Sequence, residues 1–393
     1  MKKNYAIVPK MMMRNPLLAM TVARAIFSNF KAINFDYRFY KGRSKELSLV
    51  TFRITPLCNL RCVMCGQWGK TGVYHSIPVA EELKKLVTIE QYRKLVDELS
   101  GVNPILYVWG GEPFLYPDFM ELARYMAEKC PAFCINTNGT YLEKNAGQIV
   151  KDQWGGIFVS LDGFEEVNDS IRGRGSYQRV IQGIQAVNRE KEHQKSSLPY
   201  IGIVTAISNM NYLTLEEFVD SLKDLNLSWH IINLGTYVNH DLGIKHREFM
   251  KKHFQVDARW WEGIANGCNE GIDGKRFAEI LERVQKKDYG YPIITQPVIK
   301  AKKMEVYYSS LETLVRKQCN SPWSCVNIDY NGDVHFCCDY PDYVIGNIKK
   351  EGFFDIYNND KAVHFRQTLK DAPEGIFPMC TRCYQLMLSG RPL

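Results

Sequence analysis

Short apolar runs alternate with longer amphipathic stretches from Ser48 onward. The runs are rich in β-branched and aromatic residues, which is typical of buried strands, and the stretches between them have the length of helices. The runs predict strands at residues 49–54, 105–109, 133–137, 157–161, 201–206 and 230–234. Because strands that alternate with helices are typical of parallel βα units, the pattern predicts an α/β fold.

Two capping-box patterns mark predicted helix starts, one from Thr88 to Gln91 and one from Thr214 to Glu217. A further helix is predicted at residues 177–192. Six βα units cannot close an eight-stranded barrel, so we expect residues 46–240 to form an open, partial (β/α)6 TIM-like barrel. The functional site of such a barrel lies at the carboxyl ends of its strands.

The alternation breaks after residue 240. Residues 241–305 contain two helical stretches, around 246–254 and 276–287, and we interpret this region as a helical linker segment. Residues 306–393 form a small C-terminal α+β module. Its first part alternates over 326–336 around Asn331-Gly332, which predicts a β-hairpin, and a helix is predicted at 353–370.

Residues 1–45 form a basic amphipathic N-terminal arm. Leu18, Val22, Ile26 and Phe30 recur at every fourth residue and predict a helix. Ten Lys or Arg residues against Asp36 give the arm a charge of +9, which leaves −2 for the rest of a chain whose net charge is +7. Interrupted by charges and proline, the apolar run is too broken for a transmembrane span. The helix therefore either docks on the protein's own body or makes a peripheral contact with a membrane.

A chain of 393 residues exceeds the size at which one core usually stops growing, so two domains, or one with a large appendage, are expected. An apolar fraction of 45% supplies an ordinary globular core. Most of the twelve cysteines are bunched in one triplet and in the last quarter of the chain. This distribution argues against a secreted disulfide scaffold and favours metal ligation in a reducing cytoplasm.

Three thiols lie directly behind the first predicted strand, in the pattern Cys58-x3-Cys62-x2-Cys65. This spacing lets one loop place three thiolates around a cubane iron-sulfur cluster, which leaves one iron without a protein ligand. A zinc site or buried, inert thiols are the alternatives. Zinc knuckles usually repeat C-x2-C pairs, and no fourth ligand lies near this triplet.

The C-x3-C-x2-C pattern after a strand resembles the signature of the radical S-adenosylmethionine (radical SAM) enzymes. The resemblance implies that SAM chelates the open iron through its amino and carboxylate groups and is cleaved reductively to a 5′-deoxyadenosyl radical. The residue before the third cysteine is often aromatic in this family and is Met64 here. Its polarizable thioether is a reasonable substitute for an aromatic ring beside adenine.

Other strand ends carry further motifs of the same family. Gly110-Gly111-Glu112-Pro113 resembles the motif whose backbone and glutamate bind the SAM amino group. Asn136-Thr137-Asn138-Gly139 resembles a family turn beside SAM. Ser160 and Asp162 match residues that hydrogen-bond the ribose hydroxyls, and Arg172 resembles an arginine of the next family loop, where a structural ion pair is the alternative.

The C-terminal module carries a second set of thiols. The order Cys319, Gly332-x4-Cys337 and Cys380-x2-Cys383 resembles SPASM, the auxiliary-cluster module of radical SAM enzymes, or its shortened form, Twitch. The resemblance implies one auxiliary [4Fe-4S] cluster, so that two clusters are expected in all. Cys338 can replace Cys337 as a ligand, and zinc is the alternative metal.

The remaining cysteines are not assigned a function. Cys130 and Cys134 are expected to be buried structural thiols, and Cys268 lies in a predicted loop. Cys325 and Cys338 are spare thiols of the C-terminal module. Each is either a packed core residue or a hydrogen-atom donor to a substrate radical.

The resemblance implies a radical SAM, oxidoreductase-type enzyme, which we expect in the cytoplasm or at the inner face of the membrane. It also implies that the enzyme abstracts a hydrogen atom from a peptide or small metabolite, and that the auxiliary cluster assists a net oxidation or rearrangement. The expected partners are that substrate and a reductant such as flavodoxin or ferredoxin, without nucleic acid. One alternative is a lipid or lipid-linked substrate. Another is a non-catalytic iron-sulfur electron carrier or a zinc-stabilised binding protein.

Overall fold

A single ten-stranded sheet forms the centre of the computed structural model, which describes residues 13–312, 314, 318–372 and 375–383. The strands, β1 to β10, are Leu49–Arg53, Ile105–Trp109, Phe133–Thr137, Gly156–Ser160, Tyr200–Ala206, Trp229–Asn233, Ile293–Gln296, Cys325–Asp329, Asp333–His335 and Gly346–Asn347.

Helices cover this sheet. Those described, α1 to α14, are Pro16–Lys31, Tyr37–Phe39, Val79–Leu83, Ile89–Ser100, Phe119–Lys129, Leu142–Lys151, Glu165–Arg172, Ser176–His193, Leu215–Ser221, His240–Phe254, Gly274–Lys286, Met304–Ser309, Phe353–Tyr357 and Asp360–Asp371. The capping box predicted at Thr88 is present at the start of α4. The one predicted at Thr214 is wrong, because this hydroxyl donates to the Asn211 carbonyl and leaves the α9 amides without a side-chain cap.

The order of strands in the sheet is β10-β9-β8-β1-β2-β3-β4-β5-β6-β7. Strands β1 to β6 are parallel and follow chain order, which confirms the predicted partial barrel. Two further parallel strands were not expected: β7 pairs with β6, and β8 pairs with β1. The residues predicted as a linker thus supply a strand to the sheet, and so does the C-terminal hairpin.

The β1–β8 seam is buried and polar. Arg53 Nε donates to Asp329 Oδ1 over 2.9 Å, and a second guanidinium nitrogen of Arg53 pairs with Asp329 Oδ2. His335 Nε2 lies 3.1 Å from Asp329 Oδ1, and the ring of Trp260 covers the Arg53 guanidinium at 4.0 Å. Buried charges need such partners, because each loses its hydration on folding. These contacts fix the register of the C-terminal module against the barrel.

Helix α1 lies across the amino ends of the strands. Leu18 and Ala19 are buried against Ala132, Leu198 and Tyr200, which stand just before or at the start of β3 and β5. The helix therefore docks on the protein's own body, which was one of the two expectations for it. No helix in the described ranges is long and apolar enough to span a bilayer.

Candidate functional site

The loop after β1 carries the thiols of Cys58, Cys62 and Cys65 to the carboxyl end of the sheet. The loop is irregular, and its backbone is tied to its surroundings, since the Val63 amide donates to the Ile171 carbonyl over 2.9 Å. All three cysteines are half-buried and free. Each thiol lies within electrostatic range of the other two.

The surroundings of these thiols suit a metal cluster. Backbone amides point at two of the sulfurs, Leu60 N at Cys58 Sγ and Trp68 N at Cys65 Sγ, each over 3.4 Å. Hydrogen bonds to the sulfurs are a common support of iron-sulfur ligands. Burial raises the pKa of Cys62 to about 11, so a metal that binds this thiol must displace its proton.

Gly110 and Gly111 let the end of β2 approach the cysteine loop. A side chain on Gly111 would place its Cβ 1.9 Å from the Leu57 carbonyl oxygen, and Gly110 has φ +153°. The Gly111 amide donates to the Thr55 carbonyl over 2.8 Å, and the Glu112 amide donates to the Leu57 carbonyl over 2.6 Å. The close approach that these glycines permit is therefore to the protein's own loop.

The Glu112 carboxylate is fully buried and holds the end of β3. It accepts hydrogen bonds from the Thr137 hydroxyl over 2.7 Å and from the Asn138 amide over 2.8 Å. Burial raises the pKa of Glu112 to about 7. The Asn138 side chain then donates to Asn59 Oδ1 over 2.8 Å, and its Nδ2 lies 3.9 Å from Cys58 Sγ. Glu112 and Asn138 thus belong to one network that ends at the cysteine loop.

Asp162 is engaged by the protein on both carboxylate oxygens. Oδ2 lies 2.7 Å from Arg172 Nε in a buried ion pair, and Oδ1 accepts from the Ala206 amide over 2.8 Å. The same guanidinium reaches the cysteine loop, where Arg172 Nη1 lies 3.9 Å from Cys62 Sγ. Of the two readings of Arg172, the structural ion pair is the one observed. Ser160 ends β4 and is half-buried.

A cavity of about 260 Å³ opens between the carboxyl ends of the strands, the cysteine loop and the C-terminal module. Met64 and Cys65 line one side of it and Cys338 and Asp339 another. The sequence reasoning missed several of its other lining residues: Arg53, Trp109, Asn233, Trp260, Asn266 and Cys268. Arg53, Trp109 and Asn233 lie at the carboxyl ends of strands, and this position could have identified them from the sequence.

The second set of thiols also comes together. Burial raises the pKa of Cys337 well above its ordinary value, and the charges of Cys380, Cys383 and Cys319 raise it further, so the four thiols are neighbours. Cys338 lines the cavity instead, which favours Cys337 as the member of this set. Within the described ranges, no three His, Cys, Asp or Glu side chains are grouped closely enough to hold a single metal ion. The fit to clusters therefore rests on the neighbourhood and surroundings of the thiols.

The other cysteines have distinct surroundings. Cys130 belongs to the main core, and burial raises the pKa of Cys130 and of Cys134 to about 12, as expected for structural thiols. Cys325 begins β8 opposite Leu49, at the end of the sheet away from the cavity. Cys268, which had no assigned function, lines the cavity.

Two family models match this chain. That of the radical SAM superfamily matches residues 52–225, and that of SPASM, an iron-sulfur cluster-binding domain, matches residues 319–384. The chain is 24% identical over 348 residues to Fe-coproporphyrin III synthase of Methanosarcina barkeri, across 85% of this chain and 80% of that protein. It is 23% identical over 350 residues to a serine-type anaerobic sulfatase-maturating enzyme of Bacteroides thetaiotaomicron, across 83% of this chain and 78% of that protein.

A solved structure has a similar fold. Streptococcus suis SuiB bound to S-adenosylmethionine matches with a TM-score of 0.59 at 14% identity, over 87% of this chain and 71% of that one. At this level of identity the likeness concerns the fold alone.

Proposed function

We propose that this chain, which belongs to the radical SAM superfamily and carries a SPASM domain, oxidises or rearranges a peptide or small metabolite. Membership of this superfamily means that the chain is an enzyme that binds [4Fe-4S] clusters and SAM. One observation carries the proposal. A single cavity is lined both by Cys65 of the cysteine loop and by Cys338, the neighbour of Cys337. A substrate in this cavity would lie between the two sets of thiols.

We assign Cys58, Cys62 and Cys65 as ligands of the first cluster and Cys319, Cys337, Cys380 and Cys383 as ligands of the second. Bound at these residues, the first cluster and SAM would supply one-electron reduction and radical abstraction of a hydrogen atom, and the second cluster would accept an electron from the substrate. The protein's share is to orient the reactants and to exclude water.

The strand-end residues fall into two groups in this proposal. Met64 lines the cavity, and we assign it to contact with the SAM adenine. Ser160 lies at the end of β4, and we assign it to the SAM ribose. Glu112 and Asp162 are buried and already have protein partners, so we assign them to positioning rather than to direct contact with SAM. Glu112 acts through Asn138, and Asp162 acts through Arg172.

The lining of the cavity supports an organic substrate of mixed polarity. Trp109 and Trp260 offer aromatic surface, and Asn233 and Asn266 offer amide groups. Relatives of this chain are named for a porphyrin product and for the maturation of a sulfatase protein. Iron-coproporphyrin-type tetrapyrroles and peptides are therefore the two classes to be screened as substrates.

The reaction also needs an electron source and a reducing environment. We propose a small electron-transfer protein such as flavodoxin or ferredoxin as the reductant, and the cytoplasm as the compartment. Seven of the twelve cysteines belong to the two sets of assigned ligands, and metal ligation by thiolates agrees with a reducing compartment.

The proposal is tested by anaerobic reconstitution with iron and sulfide, followed by SAM and dithionite. We expect release of 5′-deoxyadenosine from the native chain and none from Cys58→Ala, because this change removes a ligand of the first cluster. Cys325→Ala is the matched control, since this thiol lies at the other end of the sheet, and it should release 5′-deoxyadenosine at the native rate. A reconstituted native protein that retains its iron but releases no 5′-deoxyadenosine with several reductants would instead favour an electron carrier.

A further inference from the structure

The solvent side of α1 is apolar, which is unusual for a surface helix of a globular protein. The exposed apolar side chains of α1, together with Met13 just before it, range from 52% to 81% in exposed fraction, and we call them the outer face: Met13, Leu17, Met20, Ile26, Phe27 and Phe30. The sequence spacing placed Ile26 and Phe30 on the same apolar side as Leu18, yet Leu18 is buried against the barrel while Ile26 and Phe30 are not. The helix is thus apolar on both sides.

The apolar surface continues past α1. Phe35 lies on the turn of π-helix Ala32–Asp36 and is 50% exposed, and Phe39 lies on α2 and is 68% exposed. Exposed hydrophobic residues that are scattered singly need no explanation, but a contiguous group marks an interaction surface. The outer face and these two phenylalanines are eight exposed apolar residues within 27 consecutive positions, and the rings of Phe27 and Phe30 stack with centroids 6.4 Å apart.

The exposed charged residues of the segment 13–45 are all basic, and Arg14, Arg24 and Arg38 are among them. Asp36, the acidic residue of this segment, is buried and accepts from the Ser44 hydroxyl and the Lys45 amide, and Glu46 just after the segment pairs with Lys31. A partner for this surface must therefore offer both apolar material and negative charge.

We propose that the outer face of α1 binds the surface of an anionic membrane, with the helix lying in the plane of the interface. Amphipathic helices with basic and aromatic residues bury their apolar side chains at the boundary between headgroups and acyl chains, and nearby Lys and Arg residues are attracted to anionic lipids. A second copy of this chain fits less well, because a two-fold interface would bring the same arginines together.

The position of α1 also fixes which way the cavity faces. The inner side of the helix packs at the start of β3, β5 and β6, where Ala132, Tyr200 and Trp229 lie. The cavity lies at the other end of the same strands, about 16 Å away for five residues at about 3.3 Å each. A protein bound through the outer face therefore presents its cavity to the aqueous phase. This orientation disfavours a substrate that stays embedded in the same bilayer.

The binding is tested with the full-length protein by flotation with vesicles of phosphatidylglycerol and phosphatidylcholine in equal parts. We expect the native chain to float, and Phe27→Glu to reduce the bound fraction at least tenfold, because a carboxylate would enter an anionic apolar interface. The matched control is Leu213→Glu, which introduces the same carboxylate at an apolar residue that is 41% exposed and follows the carboxyl end of β5, at the end of the sheet away from α1. It should float like the native chain, and thermal unfolding checks that both variants fold.

Three outcomes would overturn the proposal. The first is equal partition of the native chain and Phe27→Glu. The second is equal binding to vesicles of phosphatidylcholine alone, which would remove the role of the charges. The third is a stable dimer in sedimentation that Phe27→Glu dissociates, which would identify a second copy as the occupant.

The orientation is tested separately by hydrogen–deuterium exchange on vesicles. We expect slower exchange in residues 16–39 and no change in the peptides around Asn233 and Trp260, which line the cavity. Protection of the cavity peptides with no protection of α1 would overturn the proposed orientation. Neither measurement depends on bound clusters or on activity.

Discussion

Neighbouring cysteines in the C-terminal module have different surroundings, although the sequence offers no means of ranking them. Cys337 lies among Cys319, Cys380 and Cys383, and the ring nitrogen His335 Nδ1 lies 2.9 Å from its carbonyl oxygen. Cys338 is turned to the cavity beside Asp339. Both residues lie beyond the end of β9, and the bends in the chain there turn the two adjacent thiols to different surroundings.

This difference predicts a split between two single substitutions. Cys337→Ser should lower the iron content of the anaerobically reconstituted protein by about half, since two [4Fe-4S] clusters are expected and one loses a ligand. Cys338→Ser should keep the native iron content. Iron and acid-labile sulfide analysis of both variants measures the effect. Loss of iron from Cys338→Ser with native iron in Cys337→Ser would reverse the assignment.

Strand β8 joins the C-terminal module to the barrel through a buried ion pair. The stability of this seam therefore depends on the charge of the Asp329 carboxylate. Burial alone would raise the pKa of Asp329, but the charges of Arg53 and His335 outweigh it and lower the pKa to about 2. A carboxyl whose pKa is lowered on folding stabilises the native state above its unfolded pKa of about 4. This stabilisation is lost as the pH falls from about 4 to about 2.

Asp329→Asn should therefore lower the free energy of unfolding by about 3 to 5 kcal/mol near neutral pH, because it leaves the Arg53 guanidinium buried without its counter-charge. Chemical denaturation measures the change. The variant should also lose less stability than the native chain between pH 4 and pH 2, since the titrating carboxyl is gone.

The matched control is Asp257→Asn, which removes the carboxylate of an exposed pair with Arg247. An exposed ion pair contributes about 1 kcal/mol or less, so this variant should be near native stability. Equal effects of the two substitutions would show that burial of the seam does not govern its stability.

How far the sequence predicts the fold depends on the element. Strands β1 to β6 combine strong apolar runs with clear turn residues, and all six were found within one residue of the predicted bounds. Strand β7 was missed because it has four mostly half-buried residues, Ile293–Gln296, behind a proline, so its apolar signal is weak. The parallel pairing of β8 with β1 could not be predicted, because nothing in either strand's own sequence specifies a partner about 275 residues away.

The same limit applies to the site. The cysteine motif and the strand-end motifs are local patterns, and the structure brings Cys58, Glu112 and Asn138 into one network as their order suggested. Three-dimensional packing decides whether the Glu112 carboxylate contacts a ligand or the protein itself. The spacing of residues along the sequence carries no information on that packing. Trp260 and Cys268 reach the cavity from a long irregular segment, so no periodicity marked them.

At the scale of the whole molecule, the barrel and the C-terminal module share one sheet and one core. Val50 of β1 and Val326 and Ile328 of β8 belong to the same buried cluster. Strand β1 therefore lies inside the sheet only because β8 covers its edge over five paired residues. An uncovered strand of this kind presents unpaired amides and carbonyls to other chains.

A fragment of residues 1–305, cut where the C-terminal module was predicted to begin, should therefore fail to remain a folded monomer. It loses the β8 partner of β1, and it leaves the Arg53 guanidinium without Asp329 in what was a buried seam. Size-exclusion chromatography and circular dichroism measure the outcome, and we expect aggregates with reduced native signal. The control is the full chain cleaved at a protease site placed at Val298, which is exposed beyond β7 and is not in the sheet. The cleaved chain keeps β8 and should elute as the intact protein does. A monomeric 1–305 fragment with native circular dichroism would show instead that the barrel is stable without the seam.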